Sequence, residues 1–206
     1  MIKKKKIKIA VTGSIGSGKS AFCDFLNQNG IPVINVDEES KKLLESDKEI
    51  KEKIIKSFGK ESFIGGKPNK VFIAEKVFSN SQNVQKINSI IHPKVIKKVN
   101  ILEEEILRST DIVAVEAALI FEANMENLFD FIVLVTSNEE LRMNRKIQKG
   151  NLSKEQFLKR NENQIPDSEK MKRSDFVFEN NDGLDDLKNK AFLLINILKG
   201  LLTANA

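Results

Sequence analysis

The 206-residue chain is long enough for one compact domain with a small insertion, and its 40% hydrophobic and 31% charged residues exclude a disordered or fibrous protein. Its net charge of +5 does not mark a nucleic-acid binder, because Lys and Glu are interspersed instead of gathered into one long basic tract. A lone cysteine, Cys23, excludes an internal disulfide and a Cys/His zinc set, no apolar run approaches the roughly 20 residues that span a bilayer, and the chain start lacks a secretory signal, so the expected compartment is the cytoplasm.

The densest basic run, Lys3 to Lys6, precedes the first apolar alternation and reads as a solvated chain start. Residues 7 to 12, Ile-Lys-Ile-Ala-Val-Thr, predict a strand. They run into Gly13-Ser14-Ile15-Gly16-Ser17-Gly18-Lys19-Ser20, and helical spacing follows from Ala21 to Asn29, with Gly30 as the stop. Residues 31–36 predict a buried strand with Asp37 at its carboxyl end. From Glu38 to Arg108 the recurring apolar spacings Leu43, Leu44, Ile50, Ile54, Ile55 and Phe58 predict a helical insertion. It is broken by a loop at Gly65–Asn69 and by a helix boundary at His92-Pro93. Residues 112–116, 131–136 and 176–178 predict three more strands, and Leu184 to Leu202 a closing helix. Strands alternating with helices predict an α/β fold of three layers with a five-stranded, mainly parallel sheet.

Gly13 to Ser20 satisfies the pattern G-x-x-x-x-G-K-[ST] between strand and helix, the context that gives it meaning as a phosphate-binding P-loop. Glycines let the backbone wrap phosphate oxygens, and the N–H groups of Ser14, Ile15, Gly16, Ser17, Gly18, Lys19, Ser20 and Ala21 compensate the charge. Lys19 bridges the β- and γ-phosphates in this reading, and Ser20 offers its hydroxyl to Mg²⁺. The switch and guanine signatures of GTPases, Asp-x-x-Gly and Asn-Lys-x-Asp, are missing from the chain. About 200 residues with an insertion suit a small-molecule kinase instead.

Further landmarks follow in order: Val33-Ile34-Asn35-Val36-Asp37, Ile90-Ile91-His92-Pro93, Glu116-Ala117-Ala118-Leu119-Ile120-Phe121-Glu122, Arg145 with Lys149, Arg160 with Gln164, and Glu169 to Asn180. Together with the P-loop they resemble the dephospho-coenzyme A kinase family over nearly the whole chain. Asn35, Ala118 and Lys149 stand where that family usually carries aspartate, proline and arginine.

The resemblance implies a core of residues 7–37, 110–145 and 174–204, an acceptor-binding insertion at 38–109 and a lid at 145–170. It implies transfer from ATP to the ribose 3′-hydroxyl of dephospho-coenzyme A, the last step of coenzyme A biosynthesis, with Mg²⁺ as cofactor and neither nucleic acid nor membrane as partner. Nothing in the sequence specifies an oligomeric state. Asp37 orients the acceptor hydroxyl in this reading, or caps the helix that follows it. Arg145 clamps the moving phosphate, and Arg142 is a surface residue or its substitute. His92, Glu122, Lys149, Arg160 and Gln164 are implied on the acceptor side, His92 alternatively being a satisfied turn residue and Lys149 a solvated helix end. Asn180 either touches adenine or forms a turn, and Cys23 is expected as core packing. Another P-loop nucleoside or nucleotide kinase, and a nucleotide-dependent switch or nucleic-acid-binding module, are the competing readings.

Overall fold

The computed structural model describes residues 6–77, 79–150 and 152–204, and only the backbone of Ser81. Lys3 to Lys5 of the basic run, and Asn151 of the expected lid, lie outside the described residues. The chain divides into two compact units, one of residues 1–35 with 103–206 and one of residues 36–102.

Strand β1 (Ile7–Thr12) leads through the glycine loop into α1 (Lys19–Gln28) and β2 (Val33–Asn35). The second unit then holds α2 (Val36–Ser46), α3 (Lys48–Phe58), a short hairpin of β3 (Phe63–Ile64) and β4 (Lys67–Pro68), α4 (Lys70–Val77) and most of α5 (Ser81–Ile106). After it come β5 (Ile112–Glu116), β6 (Phe131–Thr136), α6 (Glu139–Gln148), α7 (Lys154–Glu162), α8 (Asp167–Lys172), β7 (Phe176–Glu179) and α9 (Leu184–Thr203).

The five long strands form one sheet in the order β2-β5-β1-β6-β7, and all four pairings are parallel. Central β1 is buried from Ile9 to Thr12, as near-continuous apolar strands in a parallel sheet must be. On one face Phe22, Cys23 and Leu26 of α1 and Leu187, Ala191, Leu194 and Leu198 of α9 close over Ile7, Ile9, Val11, Val133 and Val135. Phe22 stacks on Phe178 with ring centroids 5.3 Å apart. On the other face Lys8 reaches Glu103, near the end of α5, at 2.7 Å. The unit of residues 36–102 has its own core, in which Ile50, Ile54 and Phe58 meet Ile73, Val77 and Ile87.

Three expectations change. His92 and Pro93 lie inside α5, not at a boundary: the ring removes one backbone donor, yet the buried stripe of Ile87, Val95 and Val99 carries the helix across it. The Gly65–Asn69 loop is in fact a hairpin, with Gly65-Gly66 turning between Phe63↔Pro68 and Ile64↔Lys67. Strand β2 stops at Asn35, so Asp37 does not end a strand but lies exposed in the first turn of α2, where a carboxylate complements the helix dipole.

Candidate active site

The loop between β1 and α1 is shaped by glycines that have no substitute. Gly18 caps α1 in the left-handed region at φ 98°, and a Cβ there would collide with the side-chain amide of Asn180. Gly16, at φ 84°, lies so close to α6 that a Cβ would stand 2.5 Å from the Arg142 carbonyl oxygen. The first intrahelical bond of α1 runs from Phe22 N–H to Gly18 O at 3.0 Å. The N–H groups of Lys19, Ser20 and Ala21 therefore precede any helical acceptor and point out of the helix start, where an anion is favoured.

At the carboxyl end of β5, Glu116 is the hub of the site. Its Oε1 accepts from Lys19 Nζ at 2.8 Å and from Ser20 Oγ at 2.6 Å, while its Oε2 accepts from Asn35 Nδ2 at 2.8 Å. Burial pushes this carboxyl up, but the Lys19 charge and the bonds from Lys19, Ser20 and Asn35 outweigh it and hold Glu116 below the usual carboxylate range. The loop's cation and hydroxyl are thus gathered on one ionised oxygen at the end of the sheet where α/β folds bind ligands. Within the motif Glu116-Ala117-Ala118-Leu119-Ile120-Phe121-Glu122 the sequence alone assigns Glu116 no role; its signal is an acid ending a buried strand beside a P-loop.

Segments from the second half of the chain brace the loop. Asn180, only 3% exposed, donates from Nδ2 to Ser17 O at 2.8 Å and so braces the loop from the end of β7. Arg142 is buried, not a surface residue: it donates to Ser137 O at 3.0 Å, Ile15 O at 3.3 Å and Asn161 Oδ1 at 2.8 Å. Arg145 donates to Ser137 Oγ at 3.2 Å and Asn180 O at 2.9 Å. Gln164 Oε1 accepts from Ile15 N–H at 2.9 Å, and Asp167 accepts from Ser14 Oγ and, at 2.6 Å, from Thr136 Oγ1. With its N–H on Gln164 and its carbonyl on Arg142, Ile15 has both backbone groups engaged inside the protein.

The remaining expected residues fall into two groups. Glu122 accepts from Ile165 N–H at 2.9 Å and lies 3.2 Å from Nζ of fully buried Lys170, so one of its oxygens is already engaged. Lys149 is exposed at the end of α6, and Arg160 is exposed in the last turn of α7. Half-buried Lys146 feels both of these cations, and Lys19 as well; burial and their repulsion push its pKa down. It completes a basic cluster that sequence reasoning missed. In the other unit His92 is half-buried, and burial favours its neutral form. Cys23 belongs to the core, where burial raises its thiol pKa.

A strand feeding a glycine cradle into a helix, with the lysine and hydroxyl held at the carboxyl edge of a parallel sheet, defines a P-loop kinase. Residues 7–186 match the dephospho-CoA kinase family. A dephospho-CoA kinase of Bacteroides fragilis is 38% identical over 84% of this chain and 84% of its own length. A crystal structure from Thermus thermophilus is 32% identical with a TM-score of 0.79, covering 95% of this chain and 99% of that one. A dephospho-CoA kinase structure from Campylobacter jejuni is 25% identical with a TM-score of 0.62, covering 93% and 96%. The chain belongs to the dephospho-CoA kinase family.

Proposed function

We propose that this protein transfers the γ-phosphoryl group of ATP to the ribose 3′-hydroxyl of dephospho-coenzyme A, giving ADP and coenzyme A in the cytoplasm. Family membership supports the substrate pair. The observation that carries the chemistry is the convergence of Lys19, Ser20 and Asn35 on ionised Glu116 beside the glycine cradle. Phosphoryl transfer asks the protein for positioning and charge neutralisation more than for covalent chemistry, and the loop supplies both.

In this reading the outward N–H groups of Lys19, Ser20 and Ala21 grip the phosphates. When ATP arrives, Lys19 exchanges its bond to Glu116 for the β- and γ-phosphate oxygens. Ser20 Oγ and Glu116 are the residues that would hold Mg²⁺. A hydroxyl and a carboxylate are hard oxygen donors of the kind Mg²⁺ takes. When bound, Mg²⁺ neutralises the developing charge on the transferred group. Asp37, exposed at the start of α2, accepts the proton of the acceptor hydroxyl, and residues 36–102 form the acceptor-binding unit with His92. Residues 145–170 form the lid, with Arg145, Lys146, Lys149 and Arg160 as its cations. No helix among the described residues is long and apolar enough to cross a membrane.

The deciding experiment measures ADP release with and without dephospho-coenzyme A, against a panel of nucleosides and nucleotides. Stimulation by dephospho-coenzyme A alone supports the proposal, and stimulation by a nucleoside or nucleotide in its place transfers the activity to another acceptor.

A further inference from the structure

The first half of the phosphate loop, Ser14 and Ile15, is held by residues about 150 positions away in the chain. Ile15 N–H donates to Gln164 Oε1 at 2.9 Å. Ser14 Oγ donates to one oxygen of Asp167, while the other takes Thr136 Oγ1 at 2.6 Å. Ser14 and Thr136 are each 4% exposed, so the two hydroxyls on Asp167 are sheltered from water, and the Ile15–Gln164 bond is part-buried beside them. Ser17 N–H in turn donates to Ser14 O at 3.1 Å, which passes the position of Ser14 on to the glycines that face the helix start.

This arrangement has a physical purpose. Outward N–H dipoles crowded around an empty cradle repel one another, and a loop left to relax opens. The Ile15 N–H tied to Gln164 and the Ser14 hydroxyl tied to Asp167 remove part of that freedom before the anion arrives, and preorganisation of this kind appears as affinity. The resemblance placed Gln164 on the acceptor side, but its Oε1 is engaged with the nucleotide loop.

We infer that Gln164 and Asp167 are positioning residues that hold the front of the phosphate loop in its anion-binding shape, so that they set affinity for ATP and ADP and leave affinity for the phosphoryl acceptor untouched. The inference rests on the nucleotide reading of the loop. It adds that the elbow between α7 and α8, which lies in the segment proposed as the lid, is tied directly to the cradle, so that lid and loop move together.

The test compares wild type with Gln164→Leu, Asp167→Leu and Asp167→Asn. The readouts are ADP affinity by calorimetry without acceptor, the KM for each substrate, and thermal unfolding. Gln164→Leu and Asp167→Leu are expected to weaken ADP binding and raise the ATP KM about five- to tenfold, the loss of one or two part-buried hydrogen bonds, with the dephospho-coenzyme A KM unchanged. Asp167→Asn, which can accept from one hydroxyl and donate to the other, is expected to recover most of the affinity. A raised dephospho-coenzyme A KM with unchanged ADP affinity would overturn the inference and make Gln164 an acceptor ligand. So would ADP affinity that is unchanged in both leucine variants, or that merely tracks the melting temperature across all three. Because ADP binding is read without acceptor, a wild type that binds ADP but ignores dephospho-coenzyme A sinks the proposed reaction and leaves the latch standing.

Discussion

Lys19 and Glu116, 97 residues apart in the chain, meet at 2.8 Å across the mouth of the phosphate loop. The contact joins the start of α1 to the end of β5, and both side chains are largely buried. Paired with Glu116, Lys19 is neutralised and held near the place where triphosphate oxygens would lie. A phosphate brings more negative charge than one carboxylate, so the lysine can be drawn away at small cost while Ser20 and Asn35 still satisfy Glu116.

Lys19→Ala is expected to lower kcat by about two to three orders of magnitude, the usual effect of removing one group that stabilises transition-state charge. The fold should persist, because Glu116 retains the bonds from Ser20 and Asn35. Coupled ADP detection with a circular dichroism melt checks both halves of this expectation.

The same pair sets a pH dependence. The folded pKa of Glu116 lies below its ordinary value, so the stabilisation is fully present above the unfolded pKa, about 4.3, and is lost as pH falls from there through the folded value. In urea titrations the stability gap between wild type and Glu116→Gln should stay constant near neutrality and narrow only on the acid side of that point. In Lys19→Ala the balance reverses: burial acts with less opposition, and the Glu116 pKa rises.

Much of this site was readable before any fold was known. Strands β5 and β6 announced themselves as short, mostly apolar runs rich in β-branched residues, and the glycine motif lay between an evident strand and an evident helix. What escaped were pairings that span the chain. The string around Glu116 was visible, but nothing local says that Lys19, Ser20 and Asn35 converge on it. The family resemblance picks out Gln164 together with Arg160, but no local pattern shows that its partner is Ile15, 149 residues away. Pro93 misled for the opposite reason: local chemistry predicts a break, and the buried Ile87, Val95 and Val99 override it.

Asp37→Asn tests the acceptor side. If Asp37 takes the hydroxyl proton, the amide should lower kcat by about two to four orders of magnitude, with the ATP dissociation constant unchanged. A rate equal to wild type would leave Asp37 as a helix-start carboxylate and nothing more.

Gly18→Ala should abolish nucleotide binding through two separable faults. The left-handed backbone at φ 98° costs a non-glycine residue about 1–2 kcal/mol, and the new methyl collides with the Asn180 amide. Adding Asn180→Ala removes the collision and leaves the backbone cost. Urea unfolding should therefore show the double variant recovering part of the lost stability, beyond what Asn180→Ala alone would predict.

Lys170 and Glu122 separate a structural carboxylate from a substrate-binding one. Lys170 is fully buried, 3.2 Å from Glu122, whose Oε1 also accepts from Ile165 N–H. Removing one partner strands the other, so Lys170→Met is expected to destabilise by about 3–5 kcal/mol. Adding Glu122→Gln discharges the stranded carboxylate and should return a large part of that loss. If Glu122 also binds the acceptor, Glu122→Gln will raise the dephospho-coenzyme A KM in the wild-type and Lys170→Met backgrounds alike. If its work is confined to holding Ile165 and Lys170, the cycle will show strong coupling in stability and none in KM, and Glu122 then belongs with the braces of the lid.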